Sequence, residues 1–113
     1  MYQYINLEYK KEVSAGNKEY EKAVTGQFLE AIPGELQALE QAWQQQDSET
    51  MKQVAHNMKT TISVMGLNNL LGEELDSIEE QKNDHRLSGD KIDTVISVCR
   101  MAVVEARHFL ANL

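Results

Sequence analysis

The hydrophobic positions of the chain follow helical periodicity in four stretches separated by short polar connections. In the first stretch Asn17 is a candidate N-cap, and apolar residues then recur at steps of three and four. This spacing stays in phase across Pro33 and Gly34, which favours one long helix kinked at the proline over the alternative of two shorter helices. The apolar positions of this stretch are Val24, Phe28, Ile32, Leu36, Leu39 and Trp43.

Two further helices follow in the middle of the chain. The second begins at Asp47 or Ser48 and ends at Gly66, because glycine suits the left-handed backbone that follows many helix ends. The third is predicted from near Asn68 to about Gln81. Its apolar positions are Leu70, Leu71, Leu75 and Ile78.

The fourth helix follows a predicted polar loop over residues 82–90 and runs from near Asp90 to the C-terminus. Cys99 lies within its apolar stripe, so we expect a buried thiol that packs as a small hydrophobic residue. The other members of the stripe are Ile92, Val95, Ile96, Ala102, Val103, Ala106, Phe109 and Leu110.

The N-terminal stretch "YQYINLEY" alternates as a strand would, but it stands alone in a chain of helices. We therefore expect a short segment packed across the helices, with a strand as the alternative. Four amphipathic helices with short connections predict an all-α, antiparallel four-helix bundle with a short N-terminal element. We expect residues 1–113 to form a single domain.

Composition and charge exclude several classes of function. The chain has 113 residues, 42% of them hydrophobic and 26% charged, which is typical of a globular domain. Its formal net charge of −7 disfavours nucleic acid and anionic membranes as partners. A single cysteine, the absence of a signal-peptide pattern and the absence of a long apolar run favour a cytoplasmic protein, and an N-terminal Met favours a stand-alone one.

His56 is the candidate for chemistry, because it points away from the apolar side of the second helix. At 100° per residue it lies about 150° from the centre of the apolar cluster. Thr60 and Ser63 share its face, and Lys52 and Lys59 flank it. An exposed neutral imidazole is a nucleophile, and lysine side chains can neutralise a phosphoryl group bound to it. From spacing alone, a surface histidine without any role remains the alternative.

The segment "AHNMKTTISVMGL" resembles the signature of histidine phosphotransfer (HPt) domains. That signature has an alanine–histidine pair, a lysine three residues later, a run of small residues, and a Gly-Leu pair where the helix turns. The preceding "FLEAIPGELQALEQAWQQQD" is similar to the helix before the signature in that family. The resemblance covers nearly the whole chain and implies a four-helix bundle.

The resemblance implies a relay protein rather than a complete enzyme. His56 would exchange a phosphoryl group with the aspartate of a response-regulator receiver domain, and Lys59 would neutralise the phosphoryl charge. The receiver would supply the carboxylates and Mg²⁺, so we expect no cofactor and no metal of its own. The expected partners are a receiver domain and a hybrid histidine kinase, bound by a monomer. The expected docking residues are Lys52, Thr60, Ser63 and an exposed Val64.

One position departs from the family pattern, since Thr60 stands where many members have glycine. We expect a β-branched side chain there to narrow access to the imidazole. Two other functions therefore remain as alternatives to phosphotransfer. The main alternative is a bundle that docks a receiver or a kinase without transferring phosphate. A purely structural bundle is the third.

The remaining histidines and acidic runs are expected to be incidental. His85 lies in the predicted loop and lacks a lysine three residues later. Glu105 and His108 have the Glu-x-x-His spacing of a di-metal bundle site, but no second such pair exists and both face away from the apolar stripe. The acidic stretches "GEE" and "SIEEQ" are expected to be solvated helix faces.

Overall fold

The structure is a computed structural model that describes residues 2–6, 17–80 and 89–113. Four helices account for most of these residues: α1 (Lys18–Gln44), α2 (Ser48–Ser63), α3 (Asn68–Glu79) and α4 (Gly89–Ala111). The predicted four-helix bundle is therefore confirmed. His85 and most of the predicted loop lie outside the described residues.

The N-cap residues predicted for the first two helices, Asn17 and Asp47, make the expected capping contacts. The Asn17 side chain accepts the backbone N–H of Tyr20 at 3.1 Å. Asp47 accepts the backbone N–H of Thr50 at 3.2 Å and the Thr50 hydroxyl at 2.6 Å. These two bonds favour the ionised carboxylate and lower the pKa of Asp47, the hydroxyl contributing more than the backbone group. An acidic N-cap residue, Asp47, thus precedes the helix that carries His56.

Helix α1 is continuous through Pro33, so the prediction of one long helix is confirmed. Proline has no backbone N–H, so one hydrogen bond of the helix is missing at Pro33. Because Pro33 is exposed, the missing bond leaves no unpaired polar group in the core. Phe28, Ile32 and Leu39 are buried on the opposite side, whereas Trp43 is half-buried against the core.

The turn after α2 requires glycine for two reasons. Gly66 has a φ of 68°, a backbone conformation that other residues adopt only with strain. A Cβ atom there would also lie 2.5 Å from the Cβ of Asn6, so the N-terminal segment leaves no room for one. The N–H of Leu67 bonds to the Ile62 carbonyl and that of Gly66 to the Ser63 carbonyl, which closes the helix end as a Schellman motif.

Each helix packs against two neighbours, in the cyclic order α1, α2, α3, α4. The bundle is elongated, with extents of 46 × 21 × 21 Å. Cys99 is fully buried as predicted, and burial raises the pKa of its thiol to about 12. Leu70 is exposed, so it does not belong to the buried face of α3. That face consists of Leu71, Leu75 and Ile78.

Residues 2–6 pack across the bundle and form no strand within that range, as the preferred interpretation of the N-terminal stretch predicts. Ile5 is buried in the core, and Tyr2 and Tyr4 pack against it. The Glu105 carboxylate accepts the backbone N–H groups of residues 3, 4 and 5 at 2.8–3.0 Å. The Asn6 N–H bonds to the Met65 carbonyl at 2.9 Å, so this segment joins α4 to the α2–α3 turn.

No helix in the described part of the chain is both long enough and apolar enough to cross a membrane.

Candidate functional site

His56 lies on the outer face of α2, as the periodicity predicts. Its neighbours Ala55 and Met58 are fully buried, whereas the His56 side chain is 67% exposed. The side chain leans toward α3, where its Nδ1 lies 2.6 Å from Oε1 of Glu79. Among the described residues this is its one polar contact, so Nε2 has no hydrogen-bond partner within that part of the chain.

Lys59 lies one turn further along α2 and is bound by two carboxylates of α3. Its Nζ is 2.6 Å from Oδ1 of Asp76 and makes a second, closer contact with Oε2 of Glu79. Glu79 therefore bridges His56 and Lys59, with one carboxylate oxygen on each. These four side chains form a single network, called here the α2–α3 polar network.

The antiparallel register of α2 and α3 explains why these residues meet. His56 of α2 pairs with Glu79 of α3. Lys59, three residues after His56, pairs with Asp76, three residues before Glu79. A step of three residues is close to one helical turn, so both partners stay on the facing sides of the two helices. The buried Leu75 and Ile78 anchor α3 beneath the two carboxylates.

The charges of the network fix where the imidazole proton lies. Hydrogen bonds from Lys59 and, to a smaller extent, from His56 lower the pKa of Glu79, so this carboxylate is ionised at neutral pH. Hydrogen bonds with Asp76 and Glu79 raise the pKa of Lys59, so the lysine is protonated. An ionised carboxylate can only accept a hydrogen bond, so the short contact requires the proton on Nδ1 of His56. In the neutral ring, Nε2 then carries the free lone pair and lies on the exposed side chain.

The other predicted site residues surround His56 without forming part of this network. Thr60 is exposed, and Lys52 and Ser63 are half-buried. Lys52 forms no ion pair within the described residues. The Ser63 hydroxyl donates to the Thr60 carbonyl at 2.6 Å, which turns it back onto its own helix.

The prediction of an exposed Val64 is wrong. Val64 is half-buried and packs against the hydrophobic core. Val64 is the C-cap residue of α2, so the turn toward α3 begins there and the chain reverses direction at Gly66. Val64 therefore lies against the bundle and not on the exposed face of α2. Only the uncovered part of its side chain is accessible to a partner.

Sequence reasoning missed Asp76 and Glu79, and the expectation that "SIEEQ" is merely a solvated face is wrong at Glu79. This side chain is only 27% exposed and contacts both candidate residues of α2. The signal available in the sequence was an acidic pair three residues apart on α3, matching the three-residue spacing of His56 and Lys59. Both of these carboxylates also hold the ammonium group of Lys59, whose side chain is 36% exposed.

A third carboxylate reaches α2 from the opposite side. Glu35 of α1 accepts the Thr61 hydroxyl at 3.2 Å. Burial raises the pKa of Glu35, and the bond from Thr61 opposes that effect. Thr61 therefore ties α2 to α1, whereas His56 and Lys59 tie it to α3.

The Glu105–His108 pair belongs to the N-terminal contact. Glu105 binds backbone N–H groups, and Nδ1 of His108 lies 2.5 Å from the Tyr2 hydroxyl. Within residues 2–6, 17–80 and 89–113, no three His, Cys, Asp or Glu side chains cluster as a metal site would require.

A family model for the Hpt domain matches residues 23–112, a range that includes most of α1 and all of α2, α3 and α4. No curated protein and no solved structure matches the chain. Hpt domains are phosphotransfer intermediates of phosphorelays, and they interact with receiver domains and kinases. With a bundle of the expected architecture and a match over most of its length, the chain belongs to the Hpt domain family.

Proposed function

We propose that His56 accepts and donates the phosphoryl group, and that it does so through Nε2. The observation that carries the proposal is the 2.6 Å contact between Nδ1 and Glu79 on a side chain that is 67% exposed. The carboxylate holds the proton on the inner nitrogen and directs the free lone pair outward. A nucleophile on a rigid helix needs only a partner that presents phosphorus in line with that lone pair.

The proposed transfer needs only the His56 imidazole, the Glu79 carboxylate and the phosphorylated aspartate of the receiver with its Mg²⁺. The Nε2 lone pair of His56 forms the N–P bond while the P–O bond to the receiver's aspartate breaks, and the aspartate leaves as a carboxylate. The Nδ1 proton stays in its hydrogen bond to Glu79, whose negative charge stabilises the positive charge that develops on the ring. Transfer in the other direction reverses these steps. The receiver supplies Mg²⁺, and the protein contributes no cofactor of its own.

The proposed docking surface surrounds His56 on α2. It comprises Lys52, Thr60, Ser63 and the accessible part of Val64. An acidic receiver site containing Mg²⁺ and a phosphoryl group would meet Lys52 as a free cation. A receiver domain and a hybrid histidine kinase are the partners we propose for this surface, with the protein acting as a monomer.

Phosphoryl labelling tests the assignment. The protein is incubated with a receiver domain phosphorylated by acetyl phosphate, and the label is tested for acid lability and base stability. We expect the label on the wild type and on the His108→Gln control, and none on His56→Gln. Label retained by His56→Gln would overturn the assignment.

A docking module that does not transfer phosphate is the second candidate, and one observation favours it. Lys59 is neutralised by Asp76 and Glu79, so its charge is not free for an incoming phosphoryl group. This candidate predicts that a receiver binds the protein, that His56 stays unlabelled, and that His56→Gln does not weaken binding. The same labelling experiment, together with a receiver pull-down, separates the two.

A further inference from the structure

Asp76 differs from Glu79 in what it touches. Glu79 contacts both His56 and Lys59, whereas Asp76 places its carboxylate on Lys59 alone, with Oδ1 2.6 Å from Nζ. The Asp76 side chain is 54% exposed, so it contributes little to the core. Its position one turn from Glu79 is therefore explained by the lysine rather than by packing.

We infer that Asp76 is a positioning residue that competes with the phosphoryl group for the Lys59 ammonium group, and thereby weakens the hold of the site on the phosphoryl group. The inference rests on the proposed function of His56 and adds a residue that sets how readily the group is passed on.

The charge balance of the α2–α3 polar network supports the competition. Before transfer, one ammonium group faces two carboxylates, and its hydrogen bonds are directed at them. A phosphoryl group on His56 adds up to two negative charges within reach of the same lysine. Lys59 lies on the turn after His56 and is 36% exposed, so it can swing toward the phosphoryl oxygens.

That movement leaves Asp76 without its partner. Breaking the Asp76–Lys59 contact and leaving an additional carboxylate near the phosphoryl group both oppose the phosphorylated state. Glu79 differs, because it keeps its bond to the Nδ1 proton after transfer. The two carboxylates therefore act with opposite sign: Glu79 supports the acceptor, and Asp76 opposes retention of the phosphoryl group.

The experiment measures the contact between Lys59 and the phosphoryl group directly. Wild type and Asp76→Asn are labelled with phosphoramidate, which transfers its phosphoryl group to the imidazole and releases ammonia, so no receiver is needed. The second acid dissociation constant of the phosphohistidine is then measured by ³¹P NMR titration. Asp93→Asn is the matched control, because it removes the same charge from an exposed position on α4.

We expect Asp76→Asn to raise the acid dissociation constant about two- to fivefold, the range that corresponds to one exposed ion pair. A freed lysine stabilises the dianionic phosphoryl group, so the monoanionic form loses its proton more readily and is the stronger acid. We expect Asp93→Asn to match the wild type. Equal constants for wild type and Asp76→Asn would overturn the inference and leave the proposed function intact. Absence of label at His56 in the wild type would instead contradict the proposed function.

A double-mutant cycle separates competition for the lysine from simple charge repulsion. In a Lys59→Ala background there is no ammonium group to release, so Asp76→Asn should change the constant by clearly less than in the wild type. An undiminished effect in that background would show that Asp76 acts through its own charge, and the positioning role would be wrong.

Discussion

The described residues contain two arrangements of a histidine near a carboxylate, and the contacts of these two arrangements differ. On the α2–α3 side, Glu79 holds Nδ1 of His56 with one oxygen and Lys59 with the other. Near the end of α4, the Glu105 carboxylate binds the backbone N–H groups of residues 3–5. Nδ1 of His108 contacts the Tyr2 hydroxyl, and the two rings pack edge to face with their centroids 5.6 Å apart. In the first arrangement the carboxylate is hydrogen-bonded to a histidine ring, and in the second it is hydrogen-bonded to backbone N–H groups.

The difference shows that a histidine near an acidic residue is not by itself a reactive site. Glu105 accepts the backbone N–H groups of the N-terminal segment, and within residues 2–6, 17–80 and 89–113 no carboxylate is bonded to His108. The Glu79 contact leaves the second nitrogen of His56 unpartnered within the described residues. Only the N-terminal side of the second arrangement, residues 2–6, lies outside the range that matches the Hpt domain, since Glu105, His108 and all four members of the α2–α3 polar network lie inside it. These contacts indicate a structural role for Glu105, and they support our proposal that the chemistry takes place at His56.

Removing the Glu105 carboxylate should have the largest effect, and on stability alone. Glu105→Ala leaves three backbone donors without their acceptor, and we expect a loss of about 1.5–3 kcal/mol in the free energy of unfolding. Urea denaturation measures it, and Glu105→Gln should fall between the variant and the wild type because it keeps one acceptor oxygen. Phosphoryl acceptance under native conditions should not change. A variant as stable as the wild type would show that Glu105 does not hold the N-terminal segment.

Removing the Glu79 carboxylate should affect the chemistry instead. Glu79→Ala loses the acceptor that fixes the Nδ1 proton, and we expect phosphoryl acceptance to slow about tenfold, the lower end for a hydrogen bond to a charged group. Glu79→Gln should recover part of the rate, because its amide oxygen can accept the same proton. Rates are measured in single-turnover transfer. If Glu79→Ala transfers at the wild-type rate, the contact does not orient His56.

Lys59→Ala should slow transfer by about fivefold, the size of effect expected when one partly exposed ion pair is lost. The substitution removes the cation and leaves two carboxylates beside the phosphoryl group, so both consequences act in the same direction. Arg107→Ala removes an exposed cation from α4 and serves as the control. Unchanged transfer kinetics in Lys59→Ala would remove the lysine from the site.

Thr60→Gly should have the smallest effects, with opposite signs in two assays. The exposed side chain lies one turn beyond His56, so its removal should speed transfer by opening the approach. It should also lower the free energy of unfolding by about 0.5 kcal/mol through helix propensity. Thr94→Gly on α4 controls for the propensity effect and should leave transfer unchanged. A Thr60→Gly variant that melts lower and transfers no faster would show that Thr60 does not restrict access.

The sequence predicts the helices and the outward direction of His56 well, because both depend on local periodicity. The phase of apolar residues across Pro33 is sufficient to predict one helix, and His56 stands opposite the buried Val54 and Met58. Capping at Asn17 and the turn at Gly66 follow from single residue types with known backbone preferences.

The carboxylates of α3 could not be assigned in the same way, because their contacts depend on the handedness of the bundle. The residues on either side of the buried Ile78 reach different helices. Ser77 accepts a hydrogen bond from Lys91 of α4 at 2.7 Å, whereas Glu79 faces α2. Periodicity shows that both flank the buried face, but it does not show which neighbouring helix lies on which side.

The sharpest test of the role proposed for His56 is to identify the ring nitrogen that carries the phosphoryl group. Uniformly ¹⁵N-labelled protein is treated with phosphoramidate, and the ³¹P–¹⁵N coupling of the product is assigned by NMR. We predict a single phosphohistidine at His56 with phosphorus on Nε2, the nitrogen that does not contact Glu79. Phosphorus on Nδ1 of His56, or label on His85 or His108 instead of His56, would contradict it.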